Sequence, residues 1–223
     1  MSLGCEGVIK FSATHQEAEI AAAEIAAVQT ELLGWRALLH ALGLIGQDAT
    51  RYGGAGFGNV SARLPPFAAG RHQRAFVITG TQTCAKPTLC RNDLCVVSGY
   101  DYDRNQVLSR GPVLPSSEAM THAAVYDSWT KARFVFHVHS PTLWHAAGRL
   151  GLPTTAPDVA YGTPEIARAV RDLVSAGIVR KRGVFVMGGH QDGVVAFATS
   201  APAAGAGLLH ALALALAPAI DDI

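Results

Sequence analysis

Phe134-Val135-Phe136-His137-Val138-His139-Ser140-Pro141 is the stretch from which the rest of the chain is read. Its first three residues are aromatic and β-branched, the composition of a strand covered on both faces. Alternate residues of a strand point to the same face. His137 and His139 therefore project side by side, with their rings able to converge on one metal ion, and neutral imidazole is the commonest metal ligand near neutral pH. Taken alone, such a pair is more often two half-buried core histidines, so the surrounding sequence has to decide.

Outward from this strand, turn signals and periodicity divide the chain into helices and strands. Residues 6–13 read as a short strand. Residues 15–46 lack proline and carry apolar residues at helical spacing (Ile20, Ala23, Ala27, Leu32, Trp35, Leu39), which predicts one or two amphipathic helices with Gly34 and Gly43 as break points. A glycine-dense loop, Gly53-Gly54-Ala55-Gly56-Phe57-Gly58-Asn59, leads into strands over 60–64, 75–79, 94–97 and 106–108, with a polar turn at 101–105. Pro115-Ser116-Ser117-Glu118 opens a helix to about Tyr126, with a serine as cap and a glutamate suited to the helix dipole. Beyond the central strand come a helix over 144–149, a helix over 163–176 with Thr163 as cap and Pro164 at its first position, strands over 183–188 and 194–198, and a last helix over 202–216. Regular βαβ alternation is absent, so the expected fold is α/β with a mostly antiparallel or mixed sheet between helices.

The length of 223 residues suits one domain, 1–223, with residues 1–14 as an N-terminal extension. Net charge is +1 with no block of Lys or Arg, which speaks against nucleic acid and anionic membrane as partners. The apolar tail 208–220 is interrupted by His210 and Pro218 and is too short to span a bilayer. No basic segment followed by an apolar run opens the chain, so a cytoplasmic location is expected. Cys5, Cys84, Cys90 and Cys95 lack C-x-x-C spacing and read as thiols, not as disulfides or a zinc ribbon.

His190 follows the apolar run Val184-Phe185-Val186-Met187 and the pair Gly188-Gly189, and is the natural third ligand. Three imidazoles plus an open position is the usual pattern of a catalytic zinc. Glu118, at a helix start close in sequence to the paired histidines, is the candidate general acid/base. His122 shares its face at i+4 and reads more readily as a core-edge histidine than as part of the site. Gly58-Asn59, Thr79-Gly80-Thr81 and Ser116-Ser117 are small-residue elements able to cradle an anion. The glycine-rich loop is neither a dinucleotide fingerprint nor a P-loop.

Taken together and in order, Gly58-Asn59-Val60-Ser61, Thr79-Gly80-Thr81, Pro115-Ser116-Ser117-Glu118, His137-Val138-His139-Ser140-Pro141, Tyr161-Gly162-Thr163-Pro164-Glu165 and His190 resemble the class II aldolase/adducin family over about residues 20–200. The resemblance implies a three-layer α/β/α sandwich around a central, mostly antiparallel sheet, and a homotetramer with active sites at subunit interfaces. It implies His137, His139 and His190 as ligands of Zn2+ or another divalent metal such as Mn2+, and Glu118 as the acid/base carboxylate. It also implies Gly58, Asn59, Thr79, Gly80, Ser116 and Ser117 as phosphate-binding positions. The chain departs from the familiar sugar-phosphate enzymes in three places. One is Thr81-Gln82-Thr83-Cys84-Ala85-Lys86-Pro87, where they have a Gly/Ser-rich stretch. Another is Gly189-His190-Gln191-Asp192-Gly193, where Asn-His-Gly is usual. The third is its opening segment, Glu6-Gly7-Val8-Ile9-Lys10-Phe11. These departures suggest a separate branch.

The reaction this implies is metal-dependent retro-aldol cleavage of a small hydroxy-carbonyl compound, a ketose phosphate, through a metal-stabilised enediolate. Glu118 moves the proton at carbon and Tyr161 serves as proton donor on the aldehyde side. A dehydratase or 4-epimerase on the same scaffold is the alternative. A non-catalytic adducin-like scaffold is a third reading, disfavoured because the three histidines and Glu118 are all present.

Overall fold

The computed structural model describes residues 8–218. In chain order the elements are β1 (Ser12–Glu17), α1 (Ala22–Ala41), β2 (Gly46–Gln47), β3 (Gly56–Phe57), β4 (Asn59–Arg63), β5 (Phe76–Thr79), β6 (Leu94–Asp101), β7 (Gln106–Gly111), α2 (Ala119–Ser128) and β8 (Phe134–His139). They continue with α3 (Pro141–Leu150), α4 (Pro164–Ser175), α5 (Ile178–Arg182), β9 (Val184–Val186), β10 (Gly193–Ala198) and α6 (Ala201–Leu216).

Eight strands form one sheet in the order β1-β7-β6-β5-β4-β8-β10-β9, and β2 and β3 pair separately. Within the large sheet every pairing is antiparallel except that of β1 with β7. Alternation along the strands divides the core into two layers. Phe134, Phe136 and Val138 face α1, α3 and α6, packing with Ile25, Leu32, Leu143 and Leu208. Val135, on the opposite parity, joins the layer under α2 and α4, with Met120, Ala123, Ile166 and Val170. Each large apolar side chain taken fully from water contributes about 1.5–3 kcal/mol. The outcome is the α/β/α sandwich with a mostly antiparallel sheet. No helix among the described residues is long and apolar enough to cross a membrane.

Several boundaries differ from expectation for identifiable reasons. The first strand is Ser12–Glu17, not 6–13 (Glu6 and Gly7 lie outside the described residues), because its polar His-Gln-Glu segment runs along the sheet edge beside β7. There His15 places Nδ1 3.0 Å from Ser109 Oγ and Nε2 3.1 Å from Gly111 O. Residues 12–14, grouped above with the N-terminal extension, are thus hydrogen-bonded into the sheet. Segment 15–46 contains one helix, and Gly34 does not break it; Gly43, at φ +68°, follows its end. The helix expected from Pro115 begins only at Ala119, with no side-chain cap, because Ser116 N donates to Thr79 O and Pro115 bridges Gly80, holding this segment extended. Conversely, α3 starts at Pro141, three residues ahead of expectation, since Ser140 Oγ accepts from Leu143 N at 3.2 Å. Thr163 caps α4 with Pro164 at its start. The short α5 has no counterpart in the sequence reading.

Candidate metal centre and substrate cavity

The centre sits at the C-terminal end of β8. His137 and His139 share the parity of Val135, so both lie on the sheet face that α2 covers. In the ladder, His137 stands opposite Asn59 of β4 on one side and Val195 of β10 on the other, and His139 stands opposite Gly193. His190 arrives from the turn between β9 and β10, where His190 N donates to Met187 O and Gly193 N to His190 O. The Gly188-Gly189 pair before it is required by close approach. A Cβ at Gly188 would meet Thr155 O at 2.3 Å, and one at Gly189 would meet Val159 O at 2.1 Å.

These local geometries bring the three predicted imidazoles together, fully buried, with ligand atoms within 4.8 Å of one another. The Nε2 atoms of His137 and His139 are 3.2 Å apart. Two nitrogens bound to one zinc at about 2.0–2.1 Å in a tetrahedral arrangement would stand roughly 3.3–3.4 Å apart, so the donor set fits a divalent cation. Burial, with the neighbouring His190 adding to it, drives the pKa values of His137 and His139 well below 6.5. Both rings are thereby held neutral, the form that ligates.

Glu118, 1% exposed, brings Oε1 to 3.9 Å from His190 Nδ1. Its other oxygen, Oε2, accepts from Thr121 Oγ1 at 2.6 Å. The backbone at Glu118 has φ −93° and ψ 11°, in the turn closed by Ala119 N donating to Ser116 O at 3.0 Å, which leads into α2. Tyr161 stacks on His190 at 4.5 Å between ring centroids and 20° between planes. Lys10 Nζ lies 3.6 Å from the Tyr161 ring centroid. His122 is fully buried, with Nδ1 2.6 Å from Ser61 Oγ, which is 2.8 Å from Tyr126 Oη. Burial lowers its pKa to about 3. It belongs to the core beneath the sheet face, deeper than the edge position expected of it.

A cavity of about 430 Å³ is walled in part by Gly58, Asn59, Gly80, Ser116 and Ser117. Five of the six positions assigned to phosphate are therefore side by side. Thr79 stands behind them, its Oγ1 accepting from Val60 N at 3.2 Å. Asn59 Oδ1 is buried with no hydrogen-bond partner among the described residues, which fits a wall meant for a polar ligand. Gly80 is where a side chain would not fit, since its Cβ would lie 2.3 Å from Val113 Cγ2.

Sequence reasoning missed Gln47, Gln82 and Cys84 of the same wall. It also missed Tyr52, whose ring meets His139 edge-on at 4.8 Å between centroids. Thr121 was missed although its i+3 spacing from Glu118 was a usable signal.

The family model of the class II aldolase and adducin N-terminal domain matches residues 47–204. Among solved structures, the fold is similar to YgbL, a putative aldolase/epimerase/decarboxylase from Klebsiella pneumoniae, with 20% identity over 85% of this chain and 87% of that one and a TM-score of 0.60. It is similar to an L-fuculose 1-phosphate aldolase with 20% identity over 85% and 84% of the two chains and a TM-score of 0.57. It is also similar to a sugar-phosphate aldolase from Thermotoga maritima with 14% identity over 85% and 95% and a TM-score of 0.60. None of the curated proteins matches the sequence.

Proposed function

The chain belongs to the class II aldolase and adducin family, and on that premise we propose that it is a metal-dependent aldolase acting on a small hydroxy-carbonyl compound, a ketose phosphate. The observation that carries this reading is the buried junction of three imidazoles and one carboxylate, His137, His139, His190 and Glu118, close to a polar cavity. A non-catalytic scaffold has no use for such a junction, since burying ionisable groups together costs stability.

His137, His139 and His190 would hold the cation. When bound, a divalent ion supplies Lewis-acid stabilisation of the negative charge that builds up on substrate oxygens as the C–C bond breaks, worth several kcal/mol. Glu118 takes and returns the proton at the carbon where that charge is delocalised, a role worth about 10²–10⁴-fold. Thr121 holds Oε2, which leaves Oε1 on the His190 side. Tyr161, beside His190, is assigned the aldehyde side, where it takes the proton of the hydroxyl that becomes the aldehyde as the C–C bond breaks and donates it back in the reverse direction. Gly58, Asn59, Gly80, Ser116 and Ser117 supply neutral hydrogen-bonding groups for the phosphate, and backbone N–H groups where the chain turns into α2 favour an anion. A homotetramer with Zn2+ or Mn2+ is part of the same proposal.

The test is elemental analysis of the purified chain beside a His139→Ala variant, followed by a screen of ketose phosphates and their dephosphorylated counterparts for aldehyde release. About one divalent metal per chain, lost in the variant, with aldehyde released faster from phosphorylated substrates, is the expected result. No metal after zinc is added back would overturn the aldolase reading. Equal rates with and without phosphate would overturn the substrate class.

A further inference from the structure

Two non-glycine residues beside the metal centre adopt left-handed backbone conformations, Tyr52 at φ +50° and Asp192 at φ +61°. For a bulky aromatic residue this conformation is a genuine outlier, and such strain persists only where surrounding contacts enforce it. Here the two strained residues are the two ends of one hydrogen bond. Tyr52 Oη donates to Asp192 Oδ2 at 2.6 Å. Arg51 Nη2 donates to Tyr52 Oη at 2.7 Å, and the Arg51 guanidinium lies 4.4 Å from the Phe57 ring centroid.

Each end of this bond is attached to a histidine. The Tyr52 ring packs edge-on against His139, and Phe57 lies 5.4 Å from the same imidazole at 39°. Asp192 is buried and sits in the turn that carries His190. Its backbone carbonyl accepts from Ser140 N at 2.9 Å, immediately after His139. The glycine-dense segment is further fixed where Gln47 Nε2 donates to Gly54 O at 2.7 Å.

We infer that Tyr52 and Asp192 are positioning residues of the metal centre: their hydrogen bond clasps the glycine-dense segment to the His190 turn and so fixes His139 and His190 relative to each other. The inference rests on the metal-centre reading above. Outer partners that orient metal ligands typically change metal affinity by about 10–100-fold when removed. The clasp acts on how well the ligand set is preformed, so its effect belongs in metal affinity.

The test is zinc affinity of the full chain, measured by competition with a chromophoric chelator, alongside the thermal midpoint of each metal-free protein. Tyr52→Phe removes only the hydroxyl, and Asp192→Ala removes the acceptor. Asp192→Asn retains a carbonyl oxygen able to accept from Tyr52. The expected result is zinc affinity about 10–100-fold weaker in Tyr52→Phe and in Asp192→Ala. The double variant should be no weaker than the worse single one, because both break the same bond, and Asp192→Asn should keep most of the parent affinity. If Asp192→Ala fails to fold, Tyr52→Phe and Asp192→Asn decide the matter. Variants that hold zinc as the parent does, with or without a lower thermal midpoint, overturn the clasp alone. A parent chain that binds no zinc overturns the metal-centre reading, and the clasp with it.

Discussion

Thr121 donates its hydroxyl to Glu118 Oε2 at 2.6 Å from one helical turn further along the chain, while Glu118 Oε1 lies 3.9 Å from His190 Nδ1. One oxygen of the carboxylate is therefore fixed and the other stands at the edge of the histidine cluster. If Glu118 is the acid/base group, Glu118→Gln should lower kcat by about 10²–10⁴-fold while the chain keeps its metal. Thr121→Val preserves shape and removes the hydrogen bond. It should lower kcat by roughly 5–30-fold, the equivalent of about 1–2 kcal/mol, with KM little changed. Steady-state kinetics with metal content measured in parallel separates the cases. A Glu118→Gln variant that turns over normally removes Glu118 from the mechanism.

The buried histidines also set a pH limit on stability. Burial lowers the pKa of His122 to about 3, whereas in the unfolded chain it titrates near 6.5. Between those values the unfolded state binds a proton that the folded state does not, so stability rises with pH through this window. The folded state carries no such penalty above about pH 6.5 and loses stability as pH falls below it. At about pH 5.5 the loss from one such histidine is on the order of 1 kcal/mol. His137 and His139, also driven down, act in the same direction. Urea unfolding of the metal-free protein should show several kcal/mol less stability at about pH 5.5 than at about pH 7.5. His122→Gln should shrink that difference by roughly 1 kcal/mol. An unchanged difference in the variant would show that His122 titrates normally in the folded chain.

What could be read in advance follows from how local each feature is. The pair His137 and His139 was legible because strand alternation alone puts both on one face, and Thr163 with Pro164 marked a helix start by chemistry confined to that turn. His190 was legible in order along the chain, but its approach depends on backbone packing of Gly188 and Gly189 against residues 155–159. The edge strand Ser12–Glu17 was placed wrongly because its residues are polar and mostly exposed, which leaves no apolar alternation to find. The family resemblance supplied Thr79 as a ligand residue, and in the structure its hydroxyl oxygen accepts from Val60 N behind the cavity wall. Tyr52 and Asp192 were not legible at all. A positive φ at a tyrosine leaves no trace in sequence, and their bond joins segments that are distant along the chain.

The backbone of residues 83–87 is gathered around one buried arginine on α1. Arg36 is 1% exposed. Its Nη2 donates to Thr83 O at 3.0 Å and Cys84 O at 2.9 Å, and its Nη1 to Pro87 O at 3.0 Å and to Lys86 O. Burial pulls its pKa down, with Cys84 and Asp93 opposing that pull. Because residues 81, 82 and 84 form part of the cavity wall, Arg36 on α1 sets the position of a surface that the substrate would touch. Arg36→Met fills a similar volume but leaves these carbonyls without their donor. It should cost about 3–5 kcal/mol, as expected when a buried, charge-assisted network loses its centre, and should raise KM by at least about 10-fold as the wall shifts. Arg36→Lys should fall between parent and Met variant, since an ammonium cannot reproduce the planar fork of donors. Urea midpoints and KM for the best substrate found in the screen check both effects. A Met variant within about 1 kcal/mol of the parent and with unchanged KM would mean that residues 83–87 hold their shape without Arg36.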